Sequence, residues 1–446
     1  MHPPTAAMLR NAAHVLRRLP AWRGALAAAR PPCAAGKASW PAPDIGQRFL
    51  STHKVHDLFM NYIDHERPHL FARPSSSSMI DAMFDFLPSD NHRRFWWSVI
   101  DHNNGLVLCD METDELCVCN PVTRRWTVIP WPWRPVGGIY ITFDPALSPH
   151  YEVFVIPAVP EPEKPVRRAD EKCSNEKPLS LGPPYVDEDD DTRRLMESEW
   201  PPTPWTMNPV GTVRDMLRYG VYQQGVLYVH CRGSFVLRLS LSNGTYQVVK
   251  APTYNEEKRQ VKPYLGISKK GVYFGVIEGA SRLLVWILAE YSSGQMEWIL
   301  RHQDGLSHCG QHIRNCFSNT DTPWMIHDVP DTGHEDVDAA TTLPKERFEW
   351  DSDNDDFLTI RFAADSDWVN FAILGFHPYK EVVYLSADMF DVVAYHLSDS
   401  KIQYLGYSRP KSYYRNWTNG IYESFVYTPQ MVGELEEECV IACVED

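Results

Sequence analysis

The chain has 446 residues, is 43% hydrophobic and 12% aromatic, and carries a formal net charge of −15 at pH 7. That length suits one large domain with extensions, or two domains. The acidic balance argues against non-specific nucleic-acid binding, which draws most of its affinity from a basic surface. The lack of a run of about eighteen apolar residues argues against a membrane-crossing helix.

The amino-terminal 1–45 differs from the rest. Its first acidic residue is Asp44, preceded by Arg10, Arg17, Arg18, Arg23, Arg30 and Lys37 amid many alanines. Acid-poor, Arg-rich and helix-prone sequence reads as an organelle transit segment or as a plain basic tail. Residues 46–92 read as a connecting segment that includes a serine linker, Ser75–Ser78.

From 93 to 430 the pattern is that of short strands. Leu106-Val107-Leu108, Leu116-Cys117-Val118-Cys119 and Trp126-Thr127-Val128-Ile129 follow one another within thirty residues. An Asn120-Pro121 turn separates the last two, because Pro121 presets φ and Asn120 can hydrogen-bond the local backbone. This is an antiparallel meander, not a βαβ unit. The same order recurs three times. Gly225–His230 leads to Phe235–Leu239, then Tyr246–Val249. Gly271–Val276 leads to Leu283–Leu288, then Met296–Leu300. Glu381–Leu385 leads to Val392–Leu397, then Ile402–Leu405. Repeats of about forty to fifty residues, each a small antiparallel sheet, predict a mainly β fold of the β-propeller kind. One such sheet cannot bury both faces alone, so the copies must stack radially. The other architecture that fits is a large β-sandwich.

Two polar stretches interrupt the strands, 157–191 and 328–356, and both read as exposed acidic loops. The first ends in Asp187-Glu-Asp-Asp-Asp191. In the second, Asp351-Ser-Asp353-Asn-Asp355-Asp356 lacks the Gly at position six and the Glu at position twelve that an EF-hand calcium loop needs. Residues 431–446 form an acidic tail.

The ten cysteines show no disulfide-framework spacing and read as reduced, mostly buried thiols. Cys117 and Cys119 alternate with Val118, so both should face one side of a strand as packing groups. His308, Cys309, His312 and Cys316 are of zinc-ligand types, and His308, His312 and Cys316 would share one face of a helix. Without a CxxC knuckle and with Gly310 in the run, packing under a loop is the simpler reading. No GxSxG elbow, glycine-rich phosphate loop or HExxH is present. No catalytic, cofactor or metal residue is therefore assigned, and the chain is expected not to be an enzyme acting alone.

Several segments, in order along the chain, resemble the F-box proteins of grasses. They are His53–Pro74, the meander of 103–130, Tyr140–Pro145 with Ser148–Phe154, Met196–Pro202, Phe348–Asn354 and Ile373–Lys380. The resemblance implies an amino-terminal F-box docking on a Skp-type adaptor and through it a cullin, followed by a kelch-like F-box-associated propeller that selects a target for ubiquitination. Val15-Leu16-Arg17-Arg18-Leu19-Pro20 matches the F-box stretch, which makes Leu16, Leu19 and Pro20 the expected adaptor contacts. Pro31 and Pro32 fall where the next helix should run. Each removes a backbone donor and disfavours a helix interior by about 3 kcal/mol, so the F-box is degenerate. The family's Glu-Trp-Pro-Pro stretch continues through another hairpin before Gly-Thr-Val. Here Met207-Asn-Pro209 joins Gly211-Thr-Val213 almost directly, so one or two strands of a blade are expected to be missing, with an exposed sheet edge as the consequence. The implied location is cytoplasmic or nuclear, with the mitochondrion as the alternative if 1–45 is a transit segment. A stand-alone binding module with no ligase partner is the alternative function.

Overall fold

A computed structural model describes residues 57–157, 219–327, 369–429 and 440–443, with breaks of at most ten residues inside the first three spans. In chain order the strands begin with the hairpin β1 (Asp57–Tyr62) and β2 (His69–Ala72). One sheet follows from β3 (Ser98–Asn103), β4 (Leu106–Thr113), β5 (Glu115–Asn120) and β6 (Arg125–Pro130). The pair β7 (Val136–Thr142) and β8 (Glu152–Pro157) comes next. Two more complete sheets are β9 (Gly220–Gln223), β10 (Val226–Cys231), β11 (Phe235–Ser240) and β12 (Thr245–Lys250), then β13 (Tyr264–Ser268), β14 (Gly271–Glu278), β15 (Arg282–Glu290) and β16 (Met296–Gly305). A turn of 3-10 helix, Leu306–Cys309, precedes β17 (Met325–His327). The last elements are β18 (Phe371–Phe376), β19 (Val382–Ala387), β20 (Asp391–His396), β21 (Lys401–Tyr407), β22 (Ile421–Tyr427) and β23 (Val440–Cys443).

The described strands form five four-stranded blades and a sixth, three-stranded sheet. Each of β3, β7, β9, β13, β18 and β22 contacts the next in this series, and β22 returns to β3, so these six strands ring a common axis. The chain is a β-propeller. Its ring is closed by β22, which pairs antiparallel with β1 from Asp57↔Tyr427 to Tyr62↔Ile421. The first sheet thus takes strands from both ends of the ring-forming chain, in the order β17-β2-β1-β22.

The core explains why the strands read as nearly unbroken apolar runs. Successive side chains point to opposite faces of a sheet, and here both faces meet another blade. On β4, Val107 and Cys109 pack with Phe59, Phe425 and Tyr427 of the closing blade. The alternate Leu106 and Leu108 pack with Ile139, Ile141 and Val153 of β7 and β8. On β14, Phe274 faces Tyr228 and Val236, while Tyr273 faces Phe376 and Val383. The blades of β18–β21 and β1–β22 meet through Leu58, Trp324 and Tyr384. The sixth interface holds Tyr140, Phe154, Leu227, Val229, Leu237 and Leu239. These buried clusters, one at each blade-to-blade interface, complete the ring.

The four three-strand modules expected from sequence are all present, as β4–β6, β10–β12, β14–β16 and β19–β21. The Asn120 turn forms as its chemistry requires. Asn120 Oδ1 accepts from Val122 N at 2.9 Å and Thr123 N at 3.2 Å, and Arg124 closes it with φ 55°. Each module gains a fourth, axial strand ahead of it: β3, β9, β13 and β18. Two boundaries expected from the sequence shift in the structure. β1 and β2 lie within 46–92, the expected connecting segment, and belong to the closing blade. β23 lies within 431–446, the expected acidic tail, and pairs in parallel with β8 from Val440↔Glu152 to Cys443↔Val155. The loop residues 158–191 and 328–356 lie outside the described residues.

The junction 207–213, where strands were expected to be missing, lies outside the described residues; the sheet that precedes it in the chain is that of β7 and β8. Among the described residues it has two strands from its own stretch of chain and a third, β23. Tyr140 fills space against this thin blade. Its ring lies so close to Gly220 on β9 that a Cβ there would sit 2.5 Å from ring carbons.

Candidate binding surfaces

The titratable groups of the ring gather at its axis. Asp101 lies on β3 just past a bulge between Val99 and Asp101, a device that re-aims a side chain. Its Oδ2 accepts from Ile141 N of β7 at 2.8 Å, joining two blades. Burial pushes the Asp101 carboxyl up to about 8, against the pull of backbone N–H groups from Ile141 and His102, and repulsion from Glu423 adds to the rise. Glu423, on β22, also raises the hydroxyls of Tyr219 and Tyr264, in both cases after the larger effect of burial. One carboxylate is therefore felt on three other blades, which places it near the axis. Tyr264 donates to Ser424 O at 3.1 Å, and its ring lies 4.1 Å from that of Tyr219. His102 is held neutral, its imidazole lowered to about 4 by burial. The axis is thus tied by hydrogen bonds, and its one strongly shifted acid is committed to a backbone amide.

A second polar cluster joins two blades farther out. Tyr395 donates to Asp304 Oδ2 at 2.7 Å, and its hydroxyl lies 3.0 Å from His302 Nε2. Beneath it is Cys309, fully buried, its thiol pushed up to about 12 by burial and by nearby Asp304. Cys309 is a core residue of that interface. His312 and Cys316, the other members of the expected ligand set, lie outside the described residues, as does the His308 side chain. Among the described residues no three His, Cys, Asp or Glu side chains converge as metal ligands. Cys117 and Cys119 face the same interface, with Val118 on the other, and burial holds the thiols of Cys109 and Cys119 protonated.

The surface that sequence reasoning missed lies on the rim. β12 and β16 are the outermost strands of adjacent blades, with no further strand paired to either among the described residues. Exposed large hydrophobic residues concentrate on or beside them: Tyr246, Val248, Tyr291, Ile299 and Leu300. A groove of about 640 Å³ runs between the two strands, lined by Val248, Lys250, Pro252, Met296, Glu297 and Trp298 among others. The Trp298 Nε1–H is buried and meets no acceptor among the described residues. Apolar concentration on one side and unpaired strand edges are what a protein ligand recognises. The sequence shows the apolar runs but not that they are edges. β12 carries Tyr246, Val248 and Val249, and β16 opens with Met296-Glu-Trp298-Ile-Leu300. Lys250 and Glu297 bring charge to those runs, and Arg301 and Asp304 follow farther along β16. The expected adaptor residues Leu16, Leu19 and Pro20 lie outside the described residues.

No protein-family profile matches this sequence, and no curated protein is detectably similar to it. Among solved structures, the chain resembles the β-propeller domain of Cps50 (Swd1) from Myceliophteria thermophila. The two are 9% identical with a TM-score of 0.22, and the match covers 75% of this chain and 68% of that one. At that level of overlap the likeness carries no weight for function, and the propeller rests on the strand pairing itself.

Proposed function

We propose that this chain is a non-catalytic protein-recognition module that binds a target protein on the rim of its propeller, across β12 and β16. The observation that carries the reading is the groove between β12 and β16, flanked by exposed apolar side chains, where no further strand pairs to either among the described residues. A partner laid there would cover Val248 and Met296. Val248→Asp with Met296→Asp would place charge on the groove without touching the buried core. Partners recovered with the tagged full-length chain from plant cells should be lost with this variant. Unchanged recovery from an equally folded variant would remove the groove as the binding face.

We further propose that the module serves as the substrate-recognition subunit of an SCF-type ubiquitin ligase in the cytoplasm or nucleus. Support for this comes from the sequence resemblance to grass F-box proteins. Leu16, Leu19 and Pro20 would then be the anchors in the adaptor groove. Co-purification of the full-length chain with a Skp-type adaptor, abolished by Leu16→Ala with Leu19→Ala, is the expected result. Failure of the intact chain to retain the adaptor, while still holding a target at the rim, would leave a stand-alone binding module.

A further inference from the structure

We propose that the outer edge of β8 is a strand-addition site for an extended peptide, and that β23 is a displaceable strap covering it. Three observations combine. First, among the described residues the sheet of β7 and β8 has two strands from its own stretch of chain, where each of the other blades has at least three antiparallel strands joined in sequence or closed by β22. Its β8 edge would otherwise present a row of unpaired backbone groups. Second, the segment that covers this edge pairs in parallel and over four residues, Val440 to Cys443. Every other strand pair among the described residues is antiparallel. Parallel pairing is slightly less stable per residue, and four residues give few ladder bonds. Third, the strap is flanked by Glu436, Glu437 and Glu438 on one side and by Glu445 and Asp446 on the other. Charge repulsion within such a segment opposes its docking on a chain that is itself acidic.

The occupant seen on β8 defines the chemistry of its competitor. It is an extended segment of small and branched apolar residues, contributing mostly main-chain hydrogen bonds. The register adds one specific preference. Val440 stands opposite Glu152, which is exposed. A lysine or arginine at that position of an incoming peptide would form an opposite-charge cross-strand pair, where the strap offers none. The partner is therefore a basic-apolar peptide strand. The tethered strap competes at the high effective concentration of an intramolecular ligand, so the site is masked until such a segment arrives. This site lies apart from the β12–β16 groove and does not depend on the ligase reading.

The test uses the full-length chain and its full-length double variant Ile441→Pro with Ala442→Pro. Two adjacent prolines remove the donor from whichever alternate set of amides faces β8. The probe is a fluorescent synthetic peptide with the sequence of residues 437–446, together with versions carrying Val440→Lys or both prolines. In the double variant, amides of residues 152–156 should exchange at least tenfold faster than in the parent, and the peptide should restore their protection. The peptide should bind the variant at least tenfold more tightly than it binds the parent. The Val440→Lys version should bind about threefold more tightly still, and the proline version should not bind. Absence of peptide binding to a variant with the parent's unfolding midpoint would overturn the proposal. If the double variant fails to fold, a protease site inserted after Gly433 in the otherwise unaltered chain replaces it. The cleaved fragment should then exchange with labelled peptide, and a fragment that neither leaves nor exchanges would equally overturn the idea.

Discussion

β22 and β23 both complete sheets begun far earlier in the chain, and they do so in opposite ways. β22 enters at the axis, antiparallel to β1. Phe425 and Tyr427 are buried between the closing blade and β4, Val426 faces the other neighbour, and Ser424 Oγ donates to Leu374 O across a blade boundary at 2.6 Å. Tyr427 Oη donates to Gly105 O at 3.1 Å. β23 joins at the rim, in parallel, and extends a sheet without closing anything. The difference is one of consequence. An axial closing strand is shared by two interfaces, so its loss opens the ring. A rim strand covers one edge, so its loss is expected to leave the core in place.

The largest effect should come from breaking the axial closure. Phe425→Ala removes a nearly buried ring from the cluster that joins the first and last blades. A loss of about 3–5 kcal/mol is expected from the deleted contacts and the cavity. Urea denaturation of the full chain checks it, as a drop in midpoint with little change in slope. A loss below about 1 kcal/mol, well under that range, would mean that the ring tolerates an open seam.

Asp101 sharpens the picture of the axis, since it lies beside Glu423 of the closing strand. Its carboxyl is raised from 3.8 to about 8 in the fold. Between those values the folded chain holds a proton that the unfolded chain has released, so this group's contribution to stability is complete at low pH and declines as pH rises toward about 8. Asp101→Asn keeps an acceptor for the Ile141 N–H and cannot ionise. The variant should therefore gain on the parent steadily from about pH 4 to about pH 8, by at most about 1.4 kcal/mol per pH unit. A constant gap across that range would show that the carboxyl titrates normally.

The rim offers a counterpart with the opposite sign. Glu381 receives a two-pronged contact from Arg301, at 2.8 and 3.0 Å, and Lys270 at 2.7 Å. The Arg301 hydrogen bonds, ahead of Lys270, hold its carboxyl down to about 2. Its contribution is present above about pH 4.5 and is lost as pH falls through about 2. Both cations are roughly half exposed, so solvent screening limits the effect. Glu381→Gln should lower stability by about 1 kcal/mol at pH 7, and the gap should close in acid. No difference at low salt would mean that the pair is fully screened.

The same contrast between axis and rim governs what can be read from sequence. The two middle strands of the four modules are legible because both faces of each blade are buried there, which gives long apolar runs punctuated by turns, and the outermost strands β12 and β16, though largely exposed, show as the aromatic-bearing runs that follow. The axial strands β3 and β9 are not. β3 carries Asp101, His102 and Asn103, and β9 is only Gly220–Gln223, so neither gives an apolar run of its own. Their turns, Asn104-Gly105 and Gln224-Gly225, both have positive φ, and the Asn-Gly pair is a hairpin signal that could have revealed β3. β1 and β2 are hidden because β22, which pairs with β1, lies hundreds of positions away. The rim groove is hidden for another reason. An apolar outer strand looks the same in sequence whether its edge is covered or open, and only the sheet order shows that β12 and β16 are edges.

The smallest global effect should come from β23. If the strap only covers an edge, Ile441→Pro with Ala442→Pro should shift overall stability by less than about 1 kcal/mol, as surface changes away from the core usually do. The effect should instead be local, as faster amide exchange in β8 and none in β4 or β14, because regions with few buried contacts open independently of the core. A global loss comparable to that of Phe425→Ala would show that the rim strand supports the ring. The thin blade at β7 and β8 would then be held by β23 as much as by Tyr140 and its neighbours. A local effect alone would mark that blade as a place in the ring where a strand can be exchanged.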